Sequence, residues 1–215
     1  MTAHAIYALL SQSLDLSACD CFDGHALACL FTIGAAESSV AGSLAEALGV
    51  SGQTLRGVID RYFPGAIIHL EGYGLDCEPV VEDEERSIRI LLQRSRSTPG
   101  HLSSLLAIIV ARRAMRPNHL WQDLGLANRR ELSALMQRHF APLALRNHQD
   151  MKWKKFFYRM VCRDESYRLC VAPSCSECCD FNGCFGDESG ESLLARVRLQ
   201  YEAPAQIALH SIHAG

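Results

Sequence analysis

No stretch of this chain stays apolar for the roughly 18 residues that a membrane-spanning helix needs. The longest, Leu102 to Ala111, is interrupted by Ser103 and Ser104 and runs into Arg112 and Arg113. Positive charge is short as well. Lys and Arg total 21 against 24 Asp and Glu, and the net charge of −3 argues against a general affinity for nucleic acid or an anionic membrane. The opening MTAHAIYALLSQSLDL has no basic leader and meets acid at Asp15, so a secretory signal is not expected. The expected compartment is the cytoplasm, where thiols stay reduced. The ten cysteines then read as metal ligands and small buried side chains, not as disulfides. Enzyme motifs are missing too. There is no phosphate-binding glycine loop, no His-Glu-x-x-His and no nucleophile elbow, and the nine histidines are dispersed. The expectation is a protein that is not an enzyme.

What is present is enough for a core. At 215 residues and 48% apolar composition, the chain can bury one helical domain with an appendage. Apolar residues recur at helical spacing in Ala5–Leu14, His25–Ala35, Leu44–Leu48 and Thr54–Phe63. Residues 65–80 carry Gly65, Gly72, Gly74 and Pro79 and read as a loop, with a short strand at Ala66–Leu70. Acid at Glu82 to Glu85 and arginine at Arg94 and Arg96 bracket a helix in the sense the backbone dipole favours. Leu102–Met115 reads as a buried helix, 118–126 as a turn, and Asn128 as the cap of a helix to Phe140. A last long helix is expected from about Gln149 to Asp164, with Trp153, Phe156, Phe157, Met160 and Val161 inward. The fold class is therefore mainly α. It divides into a helical domain over 1–164, a cysteine-rich segment over 165–190 and a mobile tail over 191–215, which includes a weak helix at Ser192–Tyr201.

The cysteine-rich segment holds Cys170, Cys175, Cys178 and Cys184 in the spacing Cys-x4-Cys-x2-Cys-x5-Cys. Four soft thiolates so close together select zinc, copper(I) or iron–sulfur chemistry. Pro173, Ser174, Ser176, Asn182, Gly183 and Gly186 let the backbone wrap a small object. A structural zinc site usually joins two Cys-x2-Cys knuckles across a long spacer. Here one knuckle, Cys175/Cys178, is flanked closely by the outer pair, a layout nearer to iron–sulfur ligation, with zinc the alternative. Cys179 reads as a spare thiol and Cys162 as a buried helix residue, both possible accessories. Cys19, Cys21, Cys29 and Cys77 read as packing. Just upstream, Lys152, Lys154, Lys155 and Arg159 form a basic patch able to offset the cluster's charge and attract an oxyanion. Residues 170–191 carry Glu177, Asp180, Asp187, Glu188 and Glu191 and no base.

The stretch WKKFFYRMVC, followed by LCVAPSCSECCDFNGCFG, resembles the C-terminal signature of the NifQ family, which handles molybdenum in nitrogenase cofactor assembly. HLWQDLGL, His119 to Leu126, is similar to a further family feature. The resemblance implies that Cys170, Cys175, Cys178 and Cys184 hold an iron–sulfur cluster that accommodates molybdenum. It also implies delivery of that metal to the NifEN scaffold acting with the nitrogenase iron protein NifH. Molybdenum is hard enough to want nitrogen or oxygen beside sulfur, which makes His119 the expected extra ligand and Asp123 the group expected to orient its ring. A competing expectation comes from SLAEALGVSGQTLRGVIDRYF. Ala45, Gly49, Val50 and Leu55 in it fit a helix-turn-helix, and with a metal downstream that would describe an iron–sulfur or zinc-containing transcription regulator. Few bases lie on its second helix, and a plain helical hairpin uses the same packing.

Overall fold

A computed structural model of the chain describes residues 1–164. The cysteine motif, Cys179, the weak helix at Ser192–Tyr201 and the tail over 191–215 lie outside the described residues. Within them the protein is helical throughout, as its patterning predicts. α1 (Ala3–Gln12) and α2 (Cys21–Ala41) pack together, with Ile6 and Leu10 buried on one side of α1. α2 starts earlier than the apolar pattern indicates because Asp20 caps it, accepting from the backbone N–H groups of Phe22 and Asp23 at 3.0 Å each. Such a cap contributes about 1 kcal/mol. From Ala26 to Ala35 almost every side chain of α2 is buried. It is the central helix, and its burial all round leaves little amphipathic signal.

α3 (Leu44–Leu48) and α4 (Gly52–Tyr62) form the segment that suggested a helix-turn-helix. Ala45, Val50 and Leu55 are buried as expected, and Gly49 supplies the left-handed turn at φ 67°. The remaining contacts make this a packed hairpin. Arg89 donates to the Gly49 carbonyl at 2.7 Å, and Arg112 reaches from a later helix to Glu46 at 2.9 Å. A side chain at Gly52 would strike the Leu75 carbonyl at 1.5 Å. Arg56, the base best placed for a phosphate, is paired with Glu71 and Asp76. Nothing in these contacts supports the regulator reading.

α5 (Ile67–Leu70) occupies the place where a strand was expected. Ala66 and Leu70, four residues apart, are buried, whereas Ile68 and His69 point outward. A strand would alternate. Burial on a 3.6-residue period overrides the β-preference of the two isoleucines. α6 (Asp83–Arg94) and α7 (His101–Ala114) follow on either side of the Thr98-Pro99-Gly100 break and pack on each other. The expected turn over 118–126 contains α8 (Leu120–Asp123), and α9 (Arg129–His139) is capped by Asn128 as expected. α10 (Ala141–Arg146), which carries Pro142, was not anticipated. The proline lies in the first helical turn, where its missing N–H costs nothing.

α11 (Trp153–Asp164) begins four residues later than the pattern suggests. Asp150 turns the chain at φ 53°, and Asn147 braces the turn by bonding both the N–H and the carbonyl of Met151 at 2.9 Å. Trp153, Phe156, Phe157 and Met160 are buried as predicted, with Trp153 edge-on to Phe156 at 5.8 Å. α11 packs on α6, where burial and the Glu84 carboxylate push the Tyr158 phenol up to about 12. The neutral phenol is the form the fold favours. Its stabilisation is therefore fully present below the ordinary value of 10.0 and is lost as pH climbs to about 12. The stability difference between the native protein and Tyr158→Phe is expected to shrink across that window in urea titrations. A difference constant from pH 9 to 12 would contradict the assignment.

Candidate functional site

The HLWQDLGL motif is placed at a junction of α2, α7, α8 and α11. His119 caps α8 and is half-buried; its backbone N–H donates to Gln122 Oε1 at 3.1 Å. Asp123, at the end of α8, is only 3% exposed. Its Oδ1 accepts from Asn118 Nδ2 at 3.0 Å and its Oδ2 from Lys154 Nζ at 2.5 Å. Lys154 also donates to the Arg116 carbonyl. The same lysine was expected to help attract an oxyanion. The structure instead turns it inward, where Asp123 neutralises it.

Behind α8 lies Arg113, the largest fully buried side chain among the described residues, at 0% exposed. Its two terminal nitrogens grip Glu37 of α2 at 2.7 Å each, and its Nε donates to the Asp123 carbonyl at 2.6 Å. Burial raises the Glu37 carboxyl, but the paired Arg113 charge and Arg116 outweigh it and hold the group below its ordinary range. Sequence reasoning read Arg113 as the polar end of an apolar run and missed Glu37 and Asn118. The one available signal was an arginine at a position that continues the buried face of α7.

The remaining basic residues lie nearer the surface. Lys155, Arg159 and Arg163 are exposed and Lys152 is half-buried, and their three- and four-residue spacing puts them on one side of α11. This stripe runs towards residue 165, from which the cysteine-rich segment continues. Cys162, read as a buried helix residue, is half-buried near the end of the same helix. Of the four cysteines assigned to packing, Cys29 is buried and Cys19 and Cys77 are half-buried. Cys21 departs from that expectation: it is exposed, in the first turn of α2, where the helix has left the core.

Two further polar networks involve histidines that sequence reasoning left dispersed. His139 lies between Asp23 (Nε2 to Oδ1, 3.0 Å) and Ser103 (Nδ1 to Oγ, 3.1 Å). All three are less than 9% exposed, so this serine–histidine–aspartate chain fastens α2, α7 and α9 to one another beyond the reach of a substrate. His25 pairs with the Tyr7 hydroxyl at 2.8 Å and with Glu131 at 3.4 Å, joining α1, α2 and α9. Among the described residues no group of three or more His, Cys, Asp and Glu side chains is placed to hold a metal ion, and no helix is long and apolar enough to cross a membrane.

Comparison with known proteins adds the family. The NifQ family model matches residues 26–186, a span that takes in α3 to α11, HLWQDLGL and all four motif cysteines. A NifQ homolog of Sinorhizobium fredii (strain NBRC 101917 / NGR234) is 43% identical over 175 residues, covering 80% of this chain and 75% of the relative. NifQ of Rhodobacter capsulatus is 40% identical over 149 residues, 68% of this chain and 80% of that protein. NifQ of Klebsiella pneumoniae is 47% identical over 81 residues, 37% of this chain and 48% of that protein. No solved structure matches. With most of its length matched by the family model and by relatives of which the matches cover 75% and 80%, the chain belongs to the NifQ family.

Proposed function

We propose that this protein carries a molybdenum-containing iron–sulfur cluster and supplies its molybdenum for assembly of the nitrogenase iron–molybdenum cofactor. The observation that carries the reading is the Cys-x4-Cys-x2-Cys-x5-Cys motif in a chain of the NifQ family. The cluster is cargo. Cys170, Cys175, Cys178 and Cys184 would hold its iron, for which four thiolates are a fitting donor set. His119 would offer a nitrogen to the molybdenum. Cys162 and Cys179 are accessory thiols. Lys152, Lys155 and Arg159 would draw in molybdate and offset the negative charge of a thiolate-bound cluster. Lys154 leaves that set, since its charge is spent on Asp123.

The protein in this reading moves a metal and turns over no substrate. It works in the cytoplasm, and the NifEN scaffold with NifH receives the molybdenum. A cargo that must be surrendered needs a loop that can open, and the glycine and serine content of the motif suits that need. The test is a cofactor-maturation reaction containing the scaffold and iron protein, with the loaded protein as the sole molybdenum source. Nitrogenase activation without added molybdate is expected. Activation only when free molybdate is added would reject the donor role. In the loaded protein, His119→Ala is expected to lower molybdenum while leaving iron in place; unchanged molybdenum would remove His119 from the site.

A further inference from the structure

We infer that the Asp123–Lys154 pair is a positioning device: it fixes the His119 turn against the helix that leads into the cysteine motif, and so governs how firmly molybdenum is kept. The inference rests on the carrier reading above. Its basis is the joint between α8 and α11. α11 is otherwise anchored by Trp153, Phe156, Phe157 and Met160, and apolar burial is non-directional. These side chains set which face of the helix turns inward. The Asp123 carboxylate adds direction. One oxygen takes Asn118, the residue before His119, and the other takes Lys154, the second residue of α11. Lys154 then closes onto the Arg116 carbonyl. Three linked contacts therefore run from the turn that bears His119 to the helix that precedes the cysteines.

Stability alone does not explain such a pair. Both side chains are largely removed from water, at 2% and 17% exposed, and desolvation offsets most of what their attraction gains. Replacing a buried ion pair by apolar side chains of similar size is often neutral or stabilising, whereas removing one partner is costly. What apolar replacements cannot reproduce is the fixed geometry. Groups that orient a metal-binding residue from behind typically change metal affinity by about 10–100-fold when removed. The double substitution Asp123→Leu with Lys154→Met thus separates the two roles.

The experiment loads the full chain anaerobically with iron, sulfide and molybdate. It then reads iron per chain, molybdenum per iron, the electron paramagnetic resonance line shape and the urea midpoint. The double variant is expected to keep its midpoint and its iron, to lose molybdenum about tenfold or more, and to show an altered line shape. Lys154→Arg, which retains charge and donors, is expected to hold molybdenum where Lys154→Gln loses it; this single-site comparison decides the matter should the double variant fail to fold. Molybdenum at the native level in Lys154→Gln or in the double variant would overturn the inference. So would iron and molybdenum falling together, which would make the pair merely structural. A native protein that takes up iron and sulfide but no molybdenum, or none of the three, would instead reject the carrier reading on which the inference stands.

Discussion

Replacing Arg113 with methionine is expected to lower the unfolding free energy by about 3–5 kcal/mol, the range for breaking a buried ion pair from one side. Methionine fills much of the same space, so the loss is not one of volume. It lies in what the guanidinium holds: both oxygens of Glu37 and the carbonyls of Asp123 and Ala47. Glu37, with about a third of its side chain exposed, recovers some hydration, but the two carbonyls are left in the core without that donor. Acid supplies a second signature. The Glu37 carboxyl is held below its ordinary value of 4.5, so the contribution of the pair is present above that value and is lost as pH falls through the folded one. The deficit of Arg113→Met against the native protein is therefore expected to narrow in acid. A urea titration showing less than about 1 kcal/mol at neutral pH, the level of an exposed pair, would contradict the role assigned to this arginine.

The second large effect is expected nearer the C-terminus, in the cysteine motif. Substituting Cys175 and Cys178 together by alanine removes the central knuckle of the motif and leaves Cys170 and Cys184, five and six residues from it in sequence. Two thiolates are too few to hold an iron–sulfur cluster, so iron, sulfide and molybdenum are all expected to vanish from the purified protein. The fold is expected to survive. The buried core over residues 1–164 is built from Leu, Ile, Phe, Ala and the networks described above. Circular dichroism should therefore match that of the native chain while the metal is gone. Native iron content in the double variant would move the cluster to other residues.

The two variants fall on either side of what the sequence makes legible. Helices with one apolar face announce themselves: α4 through Leu55, Val58, Ile59 and Tyr62, and α11 through its aromatic residues. Short-range chemistry is equally visible, in the Asn128 cap and in the four-cysteine spacing. Pairings between residues far apart in the chain are not. Arg113 finds Glu37 across 76 residues and Lys154 finds Asp123 across 31, and no periodicity encodes either meeting. Lys154 consequently reads as one more base on a charged helix until α8 is seen to close over it. A local rule failed where tertiary burial overrode it, at Ile67–Leu70, a helix despite its β-branched residues. HLWQDLGL was recognised as a unit, yet its internal division of labour required the structure. His119 begins the α8 turn, and Asp123 fastens that turn to α11.

The central claim is that this chain holds molybdenum within an iron–sulfur cluster. The measurement that tests it most directly is metal and sulfide analysis of the protein purified without oxygen from molybdate-fed cells, read beside its electron paramagnetic resonance spectrum. Iron, sulfide and molybdenum in fixed proportion, with a cluster signal that changes when molybdate is withheld, is the predicted result. Stoichiometric zinc, with iron and molybdenum still absent after anaerobic reconstitution, would contradict it.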